Sequence, residues 1–180
     1  MITTSDVVTL PITATERAVV EAVVARQAER GGYAVTSQVQ QGKLGEYAFH
    51  RWLYGEGGLY RFALHADAHP SGYDGGSDVG GVPIDVKAAK HTADYSVGTS
   101  LQRLWLLAGH APHPHAIFVG ASVTPDGDEV RLYGWCRSDE LTTDVLDKLK
   151  DGTHGRRMGD LAPLPSYRFL FRGAALRRAA

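Results

Sequence analysis

The stretch SDVGGVPIDVKAAK, residues 77–90, carries the most informative pattern in the chain. From residue 82 onward, apolar residues alternate with polar or small ones, and this period of two predicts a half-buried β-strand over VPIDVKAA, residues 82–89. The glycine pair at 80–81 precedes that strand and suits the tight turn of a hairpin. The sequence therefore predicts a hairpin whose first, short strand passes through Asp78.

The polar residues of this hairpin predict a cation site. Asp85 and Lys87 are two positions apart, so we expect both side chains on one face of the strand while Val86 points to the other. A carboxylate and an ammonium at the edge of a core are costly to bury unless they pair or hold a metal ion. We expect Asp78 at the same end of the hairpin, with Glu46 adding a third acid from an upstream helix. Three converging acids repel one another, so they indicate a divalent cation, and oxygen ligands favour Mg²⁺ or Mn²⁺.

Two helices are predicted before the hairpin. Residues 13–30 begin with the S/T-x-x-E spacing of a capping box at Thr13 and Glu16, and two glycines follow them. Residues 42–54 place apolar side chains at helical spacing and end at a glycine-rich turn. Glu46 is expected near the start of this second helix, leaning over the edge of the core.

The remaining predicted elements are short, and no repeat or linker separates them. They are a strand over residues 59–64, a helix or a strand over 97–109, a hairpin of two strands over 116–123 and 129–136, a helix over 138–150, and an apolar segment from 161 onward. We therefore expect one α/β domain over residues 1–180, with a catalytic core at about 41–150 and a C-terminal segment at 151–180.

Composition excludes several classes of protein. The single cysteine, Cys136, allows no intramolecular disulfide and suits a reducing compartment. The N-terminus lacks the basic and apolar regions of a secretory signal, and no apolar stretch approaches the roughly 20 residues of a membrane span. We therefore expect a soluble, cytoplasmic protein with no membrane partner.

Charge leaves the nature of the partner open. The net charge is -1 and the isoelectric point is about 6.7, whereas nucleic-acid-binding domains are usually basic. In the net charge, the negative charges of acidic metal ligands would offset the positive charges of residues that contact nucleic acid. Basic residues gather late in the chain, where they form either a nucleic-acid contact or a solvated surface and tail: Lys148, Lys150, Arg156, Arg157, Arg168, Arg172, Arg177 and Arg178.

The order of the polar residues resembles the PD-(D/E)XK nuclease superfamily, which has the restriction-endonuclease-like fold. The resemblance covers about residues 41–90: Glu46 is similar to the helix glutamate, Asp78 to the motif aspartate, and Asp85 and Lys87 to the D/E-x-K strand. It implies a mixed central β-sheet flanked by helices.

Two features depart from the pattern of that superfamily. Ser77 precedes Asp78 where the superfamily has proline, and only seven positions separate Asp78 from Asp85. These departures make Asp74, in the sequence GYDGG, a rival for the metal-binding role.

The resemblance implies a Mg²⁺- or Mn²⁺-dependent endonuclease or other nuclease that acts on DNA in restriction, repair or phage replication. Asp78, Asp85 and the backbone carbonyl of Val86 would bind the metal, and Glu46 would contribute directly or through water. Lys87 would orient the attacking water or neutralise charge on the phosphate. Double-strand cleavage would favour a homodimer. The alternative is a non-catalytic nucleic-acid-binding or assembly protein that keeps the fold.

Two other residue types suggest different sites. The histidines of HADAH, residues 65–69, and HAPHPH, residues 110–115, lack a defined zinc-ligand frame and are better explained as surface-loop residues. Three tryptophans are expected at the core or its rim rather than as base-stacking platforms: Trp52, Trp105 and Trp135.

Overall fold

The computed structural model describes residues 1–60, 62–63, 84–92, 94–108, 117–142 and 153–164. Within these ranges the fold is mixed α/β, as predicted. The helices are α1 (Ala14–Gly31), α2 (Ser37–Tyr54) and α3 (Val97–Arg103). The strands are β1 (Val8–Pro11), β2 (Ile84–Lys90), β3 (Trp105–Ala108), β4 (Ile117–Val123), β5 (Glu129–Arg137) and β6 (His154–Arg157). None of these helices is long and apolar enough to cross a membrane.

A mixed sheet of four strands forms the centre of the described structure, in the order β1-β5-β4-β2. β4 and β5 pair antiparallel across the turn at residues 124–128, which confirms the predicted hairpin. β2 pairs parallel to β4, with Ile84 opposite Ile117, and β1 pairs antiparallel to β5. A separate two-stranded antiparallel sheet joins β3 to β6. The sequence predicted neither β1 nor β6.

The four-stranded sheet separates two apolar clusters. Successive side chains of β4 point to opposite faces, so Val119 belongs to the first cluster and Phe118 to the second. α1 and α2 cover the first cluster with Val20, Val23, Val24, Leu44, Tyr47, Ala48 and Phe49. The second cluster is covered by Leu101 of α3, by Leu106 and Ala108 of β3, and by Met158 and Leu161.

The residues that begin and end α1 form the capping contacts that the sequence predicted. The Thr13 hydroxyl accepts a hydrogen bond from the N–H of Glu16, and the Glu16 carboxylate accepts one from the N–H of Thr13 at 2.7 Å. The helix ends at Gly32, which has φ +66° and donates its N–H to the carbonyl of Ala28. Because that φ lies in the left-handed region, glycine is the residue best suited to this position.

α2 begins earlier than predicted, at Ser37 rather than residue 42. Thr36 provides the N-cap, since its side-chain oxygen accepts a hydrogen bond from the N–H of Val39 at 3.3 Å. The predicted start at the glycine was wrong because a capping residue lay further upstream. Glu46 consequently lies in the middle of the helix and is buried.

The strand predicted over residues 59–64 is wrong where the structure describes it. Residues 58–60 and 62–63 are helical. Leu59, Phe62 and Ala63 have the i, i+3, i+4 spacing of one helix face, and all three pack on the first cluster. The packing of these residues as one helix face therefore outweighs the strand-like composition of this short segment.

Two other regions refine the predictions. Residues 97–109 were ambiguous because they contain both elements, α3 followed by β3. The helix predicted from residue 138 begins as a 3-10 turn over Ser138–Glu140, after which Thr142 forms a β-bridge with Gly155. That bridge extends the backbone, so no α-helix begins here; residues 143–150 lie outside the described part of the chain.

Candidate active site

Asp85 and Lys87 form a close pair on β2. Their neighbours Ile84 and Val86 are buried, which anchors the strand and leaves the alternate positions on the other face. Lys87 Nζ lies 2.9 Å from Asp85 Oδ1, and the two side chains are 36% and 26% exposed. The two residues thus share one face, as the alternation predicted, at a position that solvent can reach.

α2 lies close against the opposite face of β2. A Cβ atom added to Gly45 would lie 3.0 Å from the Cβ of Ala88, 3.5 Å from that of Ala121 and 3.6 Å from Cγ1 of Val86. Glycine at this position lets the helix backbone approach the sheet. This contact holds the segment that carries Glu46 against the strand that carries Asp85.

Glu46 forms an ion pair within its own helix. Lys43 Nζ lies 2.8 Å from Glu46 Oε2, and each side chain is only 11% exposed. Lysine and glutamate are seldom this buried unless they are paired, because transferring either charge out of water is costly. Lys43 was not among the site residues predicted from the sequence. The K-x-x-E spacing on a helix was the signal that could have found it.

The two acids approach β2 from opposite sides. α2 packs on the face that bears Val86, whereas Asp85 points to the other face, where its register partner Phe118 belongs to the second cluster. β2 is an edge strand of the four-stranded sheet that the described residues form. A single cation bound by both Asp85 and Glu46 would therefore have to lie beside that edge.

Part of the predicted site falls outside the described residues. This applies to Asp78, its rival Asp74, the glycines at 80–81 and the histidines of residues 65–69 and 110–115. Within the described ranges, no group of three or more His, Cys, Asp or Glu residues could hold a metal ion. The oxygen donors that do lie near β2, Asp85 and Glu46, are of the type that Mg²⁺ and Mn²⁺ prefer.

A contact between α1 and α2 holds the site helix in place. The Tyr47 hydroxyl donates a hydrogen bond to Glu16 Oε1, and Arg51 Nη1 lies 3.1 Å from the same oxygen. Burial alone would raise the pKa of Glu16, but hydrogen bonds from Tyr47 and Thr13 and the charge of Arg51 lower it below its usual value. The capping carboxylate of α1 is thus also a side-chain anchor for α2.

A buried polar group lies at the other end of β2. His91 follows the strand, has a side chain with 0% exposure, and places Nε2 3.6 Å from Glu129 Oε1. Burial, followed by the charge of Arg131, lowers the pKa of His91, while Glu129 and Asp126 partly offset this. Arg131 in turn donates to Glu129 Oε1 at 2.8 Å and to Ser100 Oγ at 3.3 Å. This group is structural in character, since it is enclosed between β2, β5 and α3.

Trp52 and Trp135 lie at the rim of the core, as the sequence predicted, whereas Trp105 is not among the described residues that pack on either apolar cluster. Trp52 and Trp135 are partly buried against the first cluster. Trp105, on β3, is also partly buried, and the guanidinium of Arg157 lies 5.2 Å from the centroid of its ring.

Comparisons of the chain with protein-family models, with curated proteins and with solved structures found no match. The geometry of the residues around β2 is therefore the basis for assigning a function.

Proposed function

We propose that this protein is a metal-dependent nuclease that hydrolyses phosphodiester bonds, with DNA as the substrate. The observation that carries the proposal is the Asp85–Lys87 pair, in which Lys87 Nζ lies 2.9 Å from Asp85 Oδ1 on a partly exposed face of β2. A carboxylate that binds a cation and an ammonium that contacts the phosphate need this proximity, because both act on one phosphate group.

Each residue has a distinct role in this proposal. Asp85 would hold Mg²⁺ or Mn²⁺ together with Asp78 and the Val86 carbonyl, and Glu46 would contribute directly or through water. When bound, the cation lowers the pKa of a coordinated water and stabilises charge on the phosphate. Lys87 donates its N–H groups to the attacking water or to a phosphate oxygen, and its charge offsets the charge that develops there.

The restriction-endonuclease-like fold belongs to the same proposal. The parallel β2–β4 pair, the antiparallel β4–β5 hairpin and the helix over β2 support it. A homodimer would place two such sites on one duplex, which is what cleavage of both strands requires if each site cuts one strand.

Cleavage of plasmid and single-stranded DNA with Mg²⁺ or Mn²⁺ tests the proposal. We expect wild-type protein to cleave with metal and not with a chelator, and Asp85→Ala and Lys87→Ala each to lose about 100-fold or more in rate. Lys90→Ala is the matched control, because Lys90 is an exposed lysine of the same strand and should leave the rate unchanged.

Two other outcomes would change the assignment. Equal cleavage by the wild type and both variants would show that other residues carry the reaction. No cleavage of any DNA or RNA, with binding retained, would favour a non-catalytic nucleic-acid-binding protein, in which the Lys43–Glu46 pair is purely structural.

A further inference from the structure

The outer face of the β3–β6 sheet carries an aromatic and cationic pair. Trp105 is opposite Arg157 in the antiparallel register, and the guanidinium carbon lies 5.2 Å from the centroid of the indole ring. Leu106 and Ala108 are buried, so their neighbours Trp105 and Leu107 point outward, and Leu107 is 38% exposed. This surface is open although the opposite face of β3 packs into the second cluster.

Two clefts meet at Arg157. One, of about 470 Å³, is lined by Trp105, Glu140, Arg156, Arg157 and Asp160 among others. The second, of about 510 Å³, adds the polar side chains of Thr3, Thr4 and Gln102 on the other side of Arg157. Each is large enough for a nucleotide-sized group, since small-molecule sites typically enclose about 300–1,000 Å³.

The charges of this surface are only partly neutralised. Arg156 Nη1 lies 3.3 Å from Glu140 Oε1, and its Nε donates to the backbone carbonyl of Asp160 at 3.0 Å. Arg157, by contrast, forms no ion pair within the described residues. The carboxylate of Asp160 is the opposing charge on the rim of both clefts. A ligand with a negative backbone gains from the arginines and is repelled by Asp160.

We propose that Trp105 and Arg157 form a stacking surface for unpaired bases of a nucleic-acid strand. Bases stack on aromatic rings and on guanidinium planes, and arginine charge attracts the phosphates between them. A duplex hides its base faces, so the surface selects single-stranded segments. The inference rests on the proposed nuclease function and names its substrate class, DNA with unpaired bases near the cleavage site.

The position of this surface fits that role. β3 packs through Leu106 into the cluster that contains Phe118, and Phe118 is the register partner of Asp85. The stacking surface and the Asp85–Lys87 pair therefore belong to the same side of the four-stranded sheet.

Binding of a fluorescent single-stranded oligothymidine, measured by anisotropy in chelator at low salt, tests the inference without cleavage. Trp105→Ala and Arg157→Gln should each weaken binding about tenfold, and Asp160→Asn should tighten it at least twofold. Trp105→Phe should retain most of the affinity because it keeps a ring. Tyr60→Ala is the matched control, since Tyr60 is an aromatic residue with 70% exposure elsewhere on the surface. Binding to a blunt duplex should change less than twofold in Trp105→Ala, because a duplex does not expose its base faces.

Oligothymidine binding by Trp105→Ala or Arg157→Gln at wild-type affinity, or no binding by the wild type, would overturn the inference. If Trp105→Ala fails to give the native circular dichroism spectrum, Arg157→Gln and Asp160→Asn still decide, because both residues are exposed. Metal-dependent cleavage is measured separately. If oligothymidine binding depends on Trp105 and Arg157 but the protein does not cleave DNA, only the nuclease proposal is refuted. If the protein cleaves DNA but shows no preference for single-stranded segments, only this inference is refuted.

Discussion

Each acid of the candidate site that the structure describes is held by a lysine of its own element. Asp85 pairs with Lys87 along β2, and Glu46 pairs with Lys43 along α2. The Nζ atom lies 2.8 Å from a carboxylate oxygen in the Lys43–Glu46 pair and 2.9 Å away in the Lys87–Asp85 pair. A cation that binds these oxygens would compete with the lysines, so its affinity would depend on them as well as on the acids.

Replacing Lys43 tests how strongly the buried pair on α2 is coupled. Lys43→Met removes the ammonium 2.8 Å from Glu46 Oε2 and should lower the free energy of unfolding by about 3 kcal/mol. The double variant Lys43→Met with Glu46→Gln should recover most of that loss, because the charge of Glu46 is then no longer left without that of Lys43. Urea denaturation of metal-free protein measures both. A Lys43→Met protein within about 0.5 kcal/mol of wild type would show that the pair is not coupled to folding.

Because His91 is buried, we expect the free energy of unfolding to fall on acidification. Its pKa is lowered in the folded protein, whereas the unfolded chain has the ordinary value of about 6.5. Below pH 6.5 the unfolded state therefore binds the proton more readily. Stability is fully present above that pH and falls as the pH drops towards the folded-state pKa, by at most about 1.4 kcal/mol per pH unit.

Urea midpoints between pH 5 and pH 8 measure this dependence. His91→Gln should flatten it. An unchanged slope in His91→Gln would mean that other groups control the pH response.

At the scale of elements, features that depend on residues close in sequence were predicted, whereas pairings between distant segments were not. The capping box at Thr13 and the hairpin around residues 124–128 depend on neighbours in sequence, and both were predicted. The start of α2 was placed too late because the prediction began from the apolar stripe and missed the cap at Thr36. The parallel pairing of β2 with β4 joins distant segments, so no local pattern reveals it.

The candidate site likewise combines a local feature that the sequence predicted with distant contacts that it did not. The period of two placed Asp85 and Lys87 together, because strand geometry alone determines that they share a face. It could not show that α2 lies on the opposite face, since this depends on the close approach at Gly45. Nor could it show that Glu46 pairs with Lys43, since the signal for that pair is the i, i+3 spacing of a helix rather than the alternation of a strand.

The two glycines of α2 should respond oppositely to alanine. A Cβ atom at Gly42 would meet nothing within 4 Å, so Gly42→Ala should stabilise the protein by about 0.5–1 kcal/mol through helix propensity. At Gly45 the added methyl would lie 3.0 Å from the Cβ of Ala88, and the resulting strain should cancel or reverse that gain. Thermal or urea unfolding compares the two variants directly. Equal stabilisation by both would mean that α2 lies further from β2.

At the scale of the whole molecule, the central sheet is covered on both faces by different kinds of structure. α1 and α2 cover one face, whereas α3, β3 and the segment around Met158 cover the other. The second layer is built from short pieces that the sequence predicted poorly, because few residues in each carry a periodic signal. Cys136 of β5 is 1% exposed and belongs to the cluster that this layer covers.

The reactivity of Cys136 reports on that second layer. Burial raises the pKa of its thiol to about 12, so both access and ionisation are suppressed in the folded protein. We expect reaction with a disulfide reagent at pH 8 to be at least about 100-fold slower than in 6 M denaturant. It is the only cysteine in the chain, so the signal has one source. Rapid reaction under native conditions would show that the layer over β5 opens readily.

Direct binding of Mn²⁺, measured by electron paramagnetic resonance of the free ion, tests most directly whether Asp85 holds the cation. We predict that wild-type protein binds Mn²⁺ and that Asp85→Asn weakens this binding at least tenfold. Lys87→Met should bind as tightly as wild type or more tightly, because the competing ammonium 2.9 Å from Asp85 Oδ1 is gone. Lys90→Met should bind as wild type does. Unchanged Mn²⁺ affinity in Asp85→Asn would contradict the proposed metal site.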